Sequence, residues 1–132
     1  ASATQTNVKN KILEYAQEQI NSWLETLGIR YNIAQNGYIC LGKLFGDAII
    51  QWGTVSQYVS QETEISFPIN FKTNCYFIIG NDILDTTGNI LTLFAFRNIN
   101  TSVFIRNAVV FGKSGGITFG QVKYCYYLTM GK

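Results

Sequence analysis

Ala48-Ile49-Ile50-Gln51-Trp52-Gly53 separates into two faces, Ala48, Ile50 and Trp52 on one and Ile49, Gln51 and Gly53 on the other. Alternation of this kind is the signature of a strand whose two sides meet different surroundings. Ile50 and Trp52 form the larger apolar pair, so their face is expected to turn to the core, with the indole of Trp52 dominating the packing there. On that expectation Trp52→Ala costs about 3–5 kcal/mol. The last stretch of the chain behaves in the same way: Tyr124, Tyr126, Leu128 and Met130 oppose Cys125, Tyr127 and Thr129.

Working outward, the segments 38–41, 48–52, 64–67, 75–79, 90–96, 102–107 and 123–130 are rich in β-branched and aromatic residues and predict strands. Asn36-Gly37, Gly46-Asp47, Asn81-Asp82, Gly88-Asn89 and Gly115-Gly116 punctuate them as turns. Gly53 is expected at a bulge or a close backbone approach, and Pro68, which donates no ladder bond, at an edge or a strand end. Short strands at this spacing with no helical pattern between them predict a mainly β fold, an antiparallel β-sandwich.

Ahead of them, residues 6–27 predict one α-helix, capped by Thr6 or Asn7 and stopped by Gly28. Val8, Ile12, Ala16, Ile20, Trp23, Leu24 and Leu27 form a single stripe, and the 4-3-4 steps from Ala16 to Leu27 match a coiled-coil seam. Three heptads are marginal alone. The stripe must therefore pack on the following domain or bundle with copies of itself.

The length of 132 residues predicts one compact core. Only 14% of residues are charged against 47% hydrophobic, and Asn, Gln, Ser and Thr supply a largely neutral polar surface. Histidine is absent, which excludes Ser-His-Asp and Cys-His catalysis, imidazole zinc sites and histidine switching. Cys40, Cys75 and Cys125 form no C-x-x-C pair and are expected as reduced thiols of a chain folded in a reducing cytosol. A net charge of +2 gives no footprint for nucleic acid. The charge is uneven: residues 31–90 carry two bases and five acids, and residues 91–132 carry five bases and no acid. The two segments are expected to become neighbouring, charge-complementary strands, or the basic one to offer a face to an anionic glycan. No apolar run is long enough to span or insert into a membrane. No signal peptide is visible, and the chain opens on Ala1, as a fragment or a processed chain does.

Local motifs for chemistry are weak. Gly112-Lys113-Ser114 resembles the end of a P-loop, but Asn107 stands where its first glycine belongs and Gly115-Gly116 follows in place of a helix. Glu62 with Glu64, or Asp82 with Asp85, could form a carboxylate pair. Asp82, Asp85 and Asn89 match no calcium-loop spacing, so no metal, no cofactor and no catalytic residue is expected. Asn100-Thr101-Ser102 has the form of a glycosylation triplet, which arises readily by chance in such a chain.

An ordered series is more specific: Asn36-Gly37-Tyr38-Ile39-Cys40-Leu41, then Ile49-Ile50-Gln51-Trp52-Gly53, then Ile65-Ser66-Phe67-Pro68-Ile69-Asn70-Phe71, and finally Tyr124-Cys125-Tyr126-Tyr127-Leu128-Thr129-Met130-Gly131. Over roughly 36–131 it resembles the C-terminal receptor-binding domain of bacteriophage and prophage tail-fibre proteins. Members carry Gly-Tyr-Ile, Ile-Gln-Trp-Gly and Phe-Pro-x-x-Phe strands and a closing aromatic strand. Here Leu128-Thr129-Met130-Gly131 and Lys132 depart from the small, aliphatic and final tyrosine residues of that closing motif.

The resemblance implies a homotrimer, with residues 1–30 as the end of a fibre stalk and 31–132 as a β-sandwich knob. It implies a non-enzymatic role: a virion tail-fibre tip, folded in the host cytoplasm before assembly, that binds a bacterial surface polysaccharide of lipopolysaccharide or capsule. The alternatives are a free H-type-like lectin and a purely structural trimerisation cap. Recognition should fall on loops between scaffold strands. Two stretches offer groups for sugar hydroxyls and acids: Asn81, Asp82 and Asp85 in 81–89, and Arg97, Asn98, Asn100 and Thr101 in 97–101. If 90–96 is one strand, they lie about 20–25 Å apart at ~3.3 Å per residue. The second is preferred, because Arg97 brings a fixed fork for carboxylate or phosphate.

Overall fold

The computed structural model describes residues 3–58, 63–82, 90–97, 99–112 and 122–132. Helix α1 (Ala3–Leu27) is followed at once by β1 (Ile29–Asn32) and β2 (Gly37–Leu41). A 3-10 turn (Lys43–Phe45) leads to β3 (Ile49–Tyr58), and then come β4 (Thr63–Ser66), β5 (Cys75–Asp82), β6 (Ile90–Arg97), β7 (Val103–Gly112) and β8 (Val122–Gly131). Two antiparallel sheets, ordered β1-β2-β3-β8-β5 and β4-β7-β6, form the expected sandwich. Strands of the two segments do become neighbours, since β3 and β5 pair with β8 and β4 pairs with β7, although β3 carries no charge and the Lys72–Asp47 ion pair lies within the first segment.

The helix begins three to four residues before the expected caps, so Thr6 and Asn7 lie inside it. It ends as expected, with the Gly28 N–H donating to the Glu25 carbonyl at 2.9 Å. None of its residues is buried, and Val8, Ile12, Ile20 and Trp23 are all at least half exposed. From Val8 to Trp23 the stripe therefore finds no cover on its own sheet domain, and only Leu24 and Leu27, at the end next to β1, are half-buried. Strand β1 has no counterpart in the sequence reading, because Ile29-Arg30-Tyr31-Asn32 is too short to show alternation. The expected turn at Asn81-Asp82 is the end of β5 instead. The other glycine-rich turns expected at 88–89 and 115–116 lie outside the described residues.

The face assignment of β3 is reversed. Ile49, Gln51 and Gly53 are buried, whereas Ile50 and Trp52 point to the outer side of the five-stranded sheet. The cause is the Gln51 side chain, 0% exposed. Its Nε2 donates to the Ile69 carbonyl at 2.9 Å and its Oε1 accepts from the Ile69 N–H at 2.9 Å. Ile69 follows Pro68 in a segment that belongs to no strand, so the amide supplies both partners that a sheet would otherwise give. Trp52 instead lies half-buried across β2, its indole N–H donating to the Ala34 carbonyl at 2.9 Å.

Two glycines make room for this arrangement. A Cβ on Gly37, the register partner of Trp52, would lie 2.6 Å from the indole ring. One on Gly53 would lie 2.6 Å from the Tyr127 hydroxyl and 2.7 Å from Asn36 Oδ1, the atom that accepts the Thr54 N–H.

The core between the sheets is aromatic. Phe67, Phe71, Phe104 and Tyr127 are buried with Ile49 and Cys40, and Phe96 packs against them. Phe104 is the hub, with ring centroids 5.0 Å from Phe67, 5.6 Å from Phe96 and 5.1 Å from Tyr127. The Phe67–Phe71 segment is strapped to the β6–β7 connection by Phe67 N–H to the Ser102 carbonyl and Phe71 N–H to the Thr101 carbonyl. None of the three cysteines forms a disulfide.

Gln51→Ala would take the partners from the half-buried N–H and carbonyl of Ile69 and empty a buried site, so it should lower stability by about 1–3 kcal/mol, with denaturant titration as the measurement. Burial pushes the Tyr127 hydroxyl up to about 12 from 10.0. The unfolded chain then loses this proton first, so stability holds below pH 10 and falls as pH rises from about 10 to 12. Tyr127→Phe should remove part of that alkaline loss, read as a flatter melting temperature against pH.

Candidate functional site

The strand register fixes two ends of the sandwich. At one, Ile29 pairs with Leu41, Cys40 with Ile49, and Ile49 and Cys75 both with Gly131. This is the end that α1 enters. At the other, Tyr58 pairs with Val122 and Asp82 with Cys125.

The stretch preferred from sequence lies at the helix end. Asn100 and Thr101 line a cleft of about 260 Å³ with Thr73, Asn74, Cys75 and Ile99. Asn100 is occupied there: its Oδ1 accepts from the Ser102 N–H at 2.8 Å, the Ser102 hydroxyl at 3.0 Å and the Val103 N–H at 2.9 Å. It builds its own turn, the one whose carbonyls strap Phe67 and Phe71. Arg97 is exposed at the last position of β6, opposite Ile105. Asn98 lies outside the described residues. A second cleft at this end, of about 200 Å³, holds Arg30, Asp47 and Lys72, with Lys72 Nζ 3.6 Å from Asp47 Oδ2. Sequence spacing gave no hint of that trio, which comes from three separate elements.

The other stretch is divided. Asp85, with Asn89 of the calcium trio, lies outside the described residues, as does Glu62 of the carboxylate pairs and Lys113-Ser114 of the P-loop-like run. Asp82 ends β5, and Asn81 is exposed on its outer side, opposite Tyr126 of β8. Strand β6 does run unbroken from Ile90 to Arg97, but residues 83–89 lie outside the described residues, and Phe96, next to Arg97, reaches Gly80, next to Asn81, where an added Cβ would lie 2.4 Å from its ring.

Asn81 belongs to a hollow of about 440 Å³ on the outer face. Its walls are Ile79 and Asn81 of β5 against Leu128 and Tyr126 of β8, and its floor is the chain at Gly80 and Tyr127. Tyr126 is 55% exposed, and Tyr124 lies beyond it on the same side. An exposed phenol ring beside an amide suits the apolar face and hydroxyl rim of a sugar. The tyrosines were visible in the alternation of 124–130, but nothing in it distinguished the outer side from the inner. Among the described residues no three His, Cys, Asp or Glu side chains converge on a metal site, and no helix is long and apolar enough to cross a membrane.

The architecture has known counterparts. An N-truncated R2-type pyocin tail fiber matches with a TM-score of 0.61 at 18% identity over 83% of this chain. An R2 pyocin fiber of P. aeruginosa matches at 0.59 and 17% over 83%, and an N-truncated R1-type pyocin tail fiber at 0.55 and 13% over 85%. The chain spans 41%, 28% and 95% of these three structures in turn, so it corresponds to under half of the first two. At such identities the likeness is one of fold. No curated protein is significantly similar in sequence. Residues 43–132 match the family described as "Putative tail fiber protein gp53-like, C-terminal". The chain belongs to that family of tail-fibre C-terminal domains, a virion-associated class.

Asn100→Ala should remove three hydrogen bonds from the strap and lower stability by about 1–2 kcal/mol. Arg97→Ala, at an exposed position, should cost less than Asn100→Ala, and paired thermal melts separate the two.

Proposed function

We propose that the chain is the receptor-binding tip of a tail fibre, a homotrimer that attaches to a bacterial surface glycan and leaves it chemically intact. In this reading residues 1–30 end the stalk and 31–132 form the knob. Family membership supplies the setting. The observation that carries the assembly is the helix stripe, apolar and without any buried residue. A helix of about three heptads is not stable in isolation, so parallel copies are the natural cover.

A tip meets its receptor with the end away from its stalk. Here that end receives Asn81, Asp82, Tyr124 and Tyr126, and the exposed amide of Asn81 with the phenol rings of Tyr126 and Tyr124 is the contact we favour. Asn100 and Thr101 sit toward the stalk, in the cleft they share with Cys75. Each site is weak by itself, and three on one rigid fibre gain by avidity. Lipopolysaccharide or capsule fits such a site, since repeating polymers present the same sugar to all three.

Light scattering at micromolar concentration should give three times the 14.8 kDa chain mass. A monomer would reject the stalk-and-knob reading. On a panel of purified lipopolysaccharides and capsular polysaccharides, the trimer should retain at least one polymer without shortening it. Tyr126→Ala or Asn81→Ala should weaken that retention about tenfold, a change of ~1.4 kcal/mol. Shortened polymer would reject the non-enzymatic reading, and a trimer that binds none of the panel would favour a structural cap.

A further inference from the structure

The five-stranded sheet is apolar on both sides. Its inner side meets Phe67, Phe71 and Phe104. On its outer side the register aligns Ile50 and Trp52 of β3, Met130 and Leu128 of β8, and Phe77 and Ile79 of β5. Phe77, Ile79 and Leu128 are 44%, 57% and 40% exposed. An antiparallel sheet with a solvated face normally places polar residues there. None of the described outward side chains of this sheet carries a charge. Strand β5 is, in addition, the last strand of the sheet, with one backbone edge unpaired within it.

We infer that this outer face is the contact between knobs, each covering its face with a second copy of the same chain. The inference rests on the trimeric reading and adds the surface that joins its knobs. Three features choose this occupant. The first is size: strand spacing of ~4.8 Å and a rise of ~3.3 Å per residue give the face roughly 600 Å² in plan, comparable with the ~800 Å² that each partner buries in a standard interface and far beyond one sugar ring. The second is continuity. Gly28 alone separates the uncovered helix stripe from β1 of this sheet, so copies joined through their helices have their sheets within reach. The third is the gradation along β8 and β5. Met130, Leu128, Phe77 and Ile79 stand toward the helix, and Tyr126 and Asn81 stand toward the other end. That is an apolar centre, which takes in the Ile79 and Leu128 walls of the hollow, giving way to an amphipathic rim, which leaves Asn81 and the tyrosines to the receptor.

The test uses the full chain. Ile79→Lys with Leu128→Lys alters two side chains exposed in the single chain, so circular dichroism should stay that of the folded protein. Light scattering should show the trimer mass falling toward the monomer at equal concentration. Hydroxyl-radical footprinting of the unaltered trimer gives a second reading independent of any variant. Phe77 and Leu128 should label several-fold less than Leu44 and Phe45, which are exposed on the 3-10 turn. A variant that remains trimeric, or a trimer whose Phe77 and Leu128 label as freely as Phe45, would overturn this face and leave the trimer standing. A monomeric unaltered chain would overturn both.

Discussion

The packing of the sandwich turns on one side-chain amide that stands in for a strand. The segment 67–71 crosses the inner side of the five-stranded sheet carrying Phe67 and Phe71 into the core, and Pro68 within it has no N–H to give a ladder. Gln51 meets the Ile69 peptide with a donor and an acceptor, both at 2.9 Å. The cost of burying a neutral amide is offset only when both its groups are satisfied, and here they are. The pairing locks β3 to the phenylalanine segment. It also decides which side of β3 faces inward, and so sends Trp52 outward.

That consequence spreads across the sheet. With Gln51 inside, Ile50 and Trp52 join Met130, Leu128, Phe77 and Ile79 on the outer side. The strand alternation expected of a solvated sheet is thereby lost in favour of two apolar sides. On the inner side the bulk that Trp52 might have supplied comes from the Phe104-centred ring cluster. Gly53 and Gly37 follow from the same choice, one clearing space for Tyr127 and the other for the indole.

The sequence made the sandwich legible because strand spacing and turn residues depend on local chemistry. Seven of the strands fall where β-branched and aromatic residues cluster, and the helix ends at Gly28. Strand β1 escaped because four residues carry no period. The inward face of β3 escaped for a different reason. Ranking side chains by apolarity places tryptophan inside and glutamine outside, and the exception depends on a peptide group 18 residues away, which no local pattern announces. The candidate site was less legible still. Asn100 looked like a free amide for sugar hydroxyls, yet three hydrogen bonds within its own turn occupy its oxygen. Tyr126 looked like scaffold, yet more than half of it is exposed.

Polarity along the fibre axis is the step that sequence spacing could not supply. Residue type alone ranked Arg97 above Asn81, since a guanidinium recognises acidic groups better than an amide does. For the Asn100 and Thr101 part of the same stretch, the register changes the ranking by direction. Cys75 and Gly131 lie with Ile49 at the end that the helix enters, and Asn100 and Thr101 share a cleft with Cys75. Asn81 and Tyr126 pair some six residues further along β5, or about 20 Å at ~3.3 Å per residue. If the helix is the stalk, that distance separates groups held near the fibre shaft from groups carried toward the surface it meets. The shaft-side groups already serve the fold: Thr101 and Ser102 carry the strap, and the Lys132 carbonyl accepts from the Thr73 hydroxyl at 3.0 Å. The residues farther out are less committed. Asn81 and Tyr126 leave an amide and a phenol ring exposed beside a hollow whose floor is backbone. A surface that can change its ligand without disturbing its core needs such residues, and the end opposite the helix is where this chain places them.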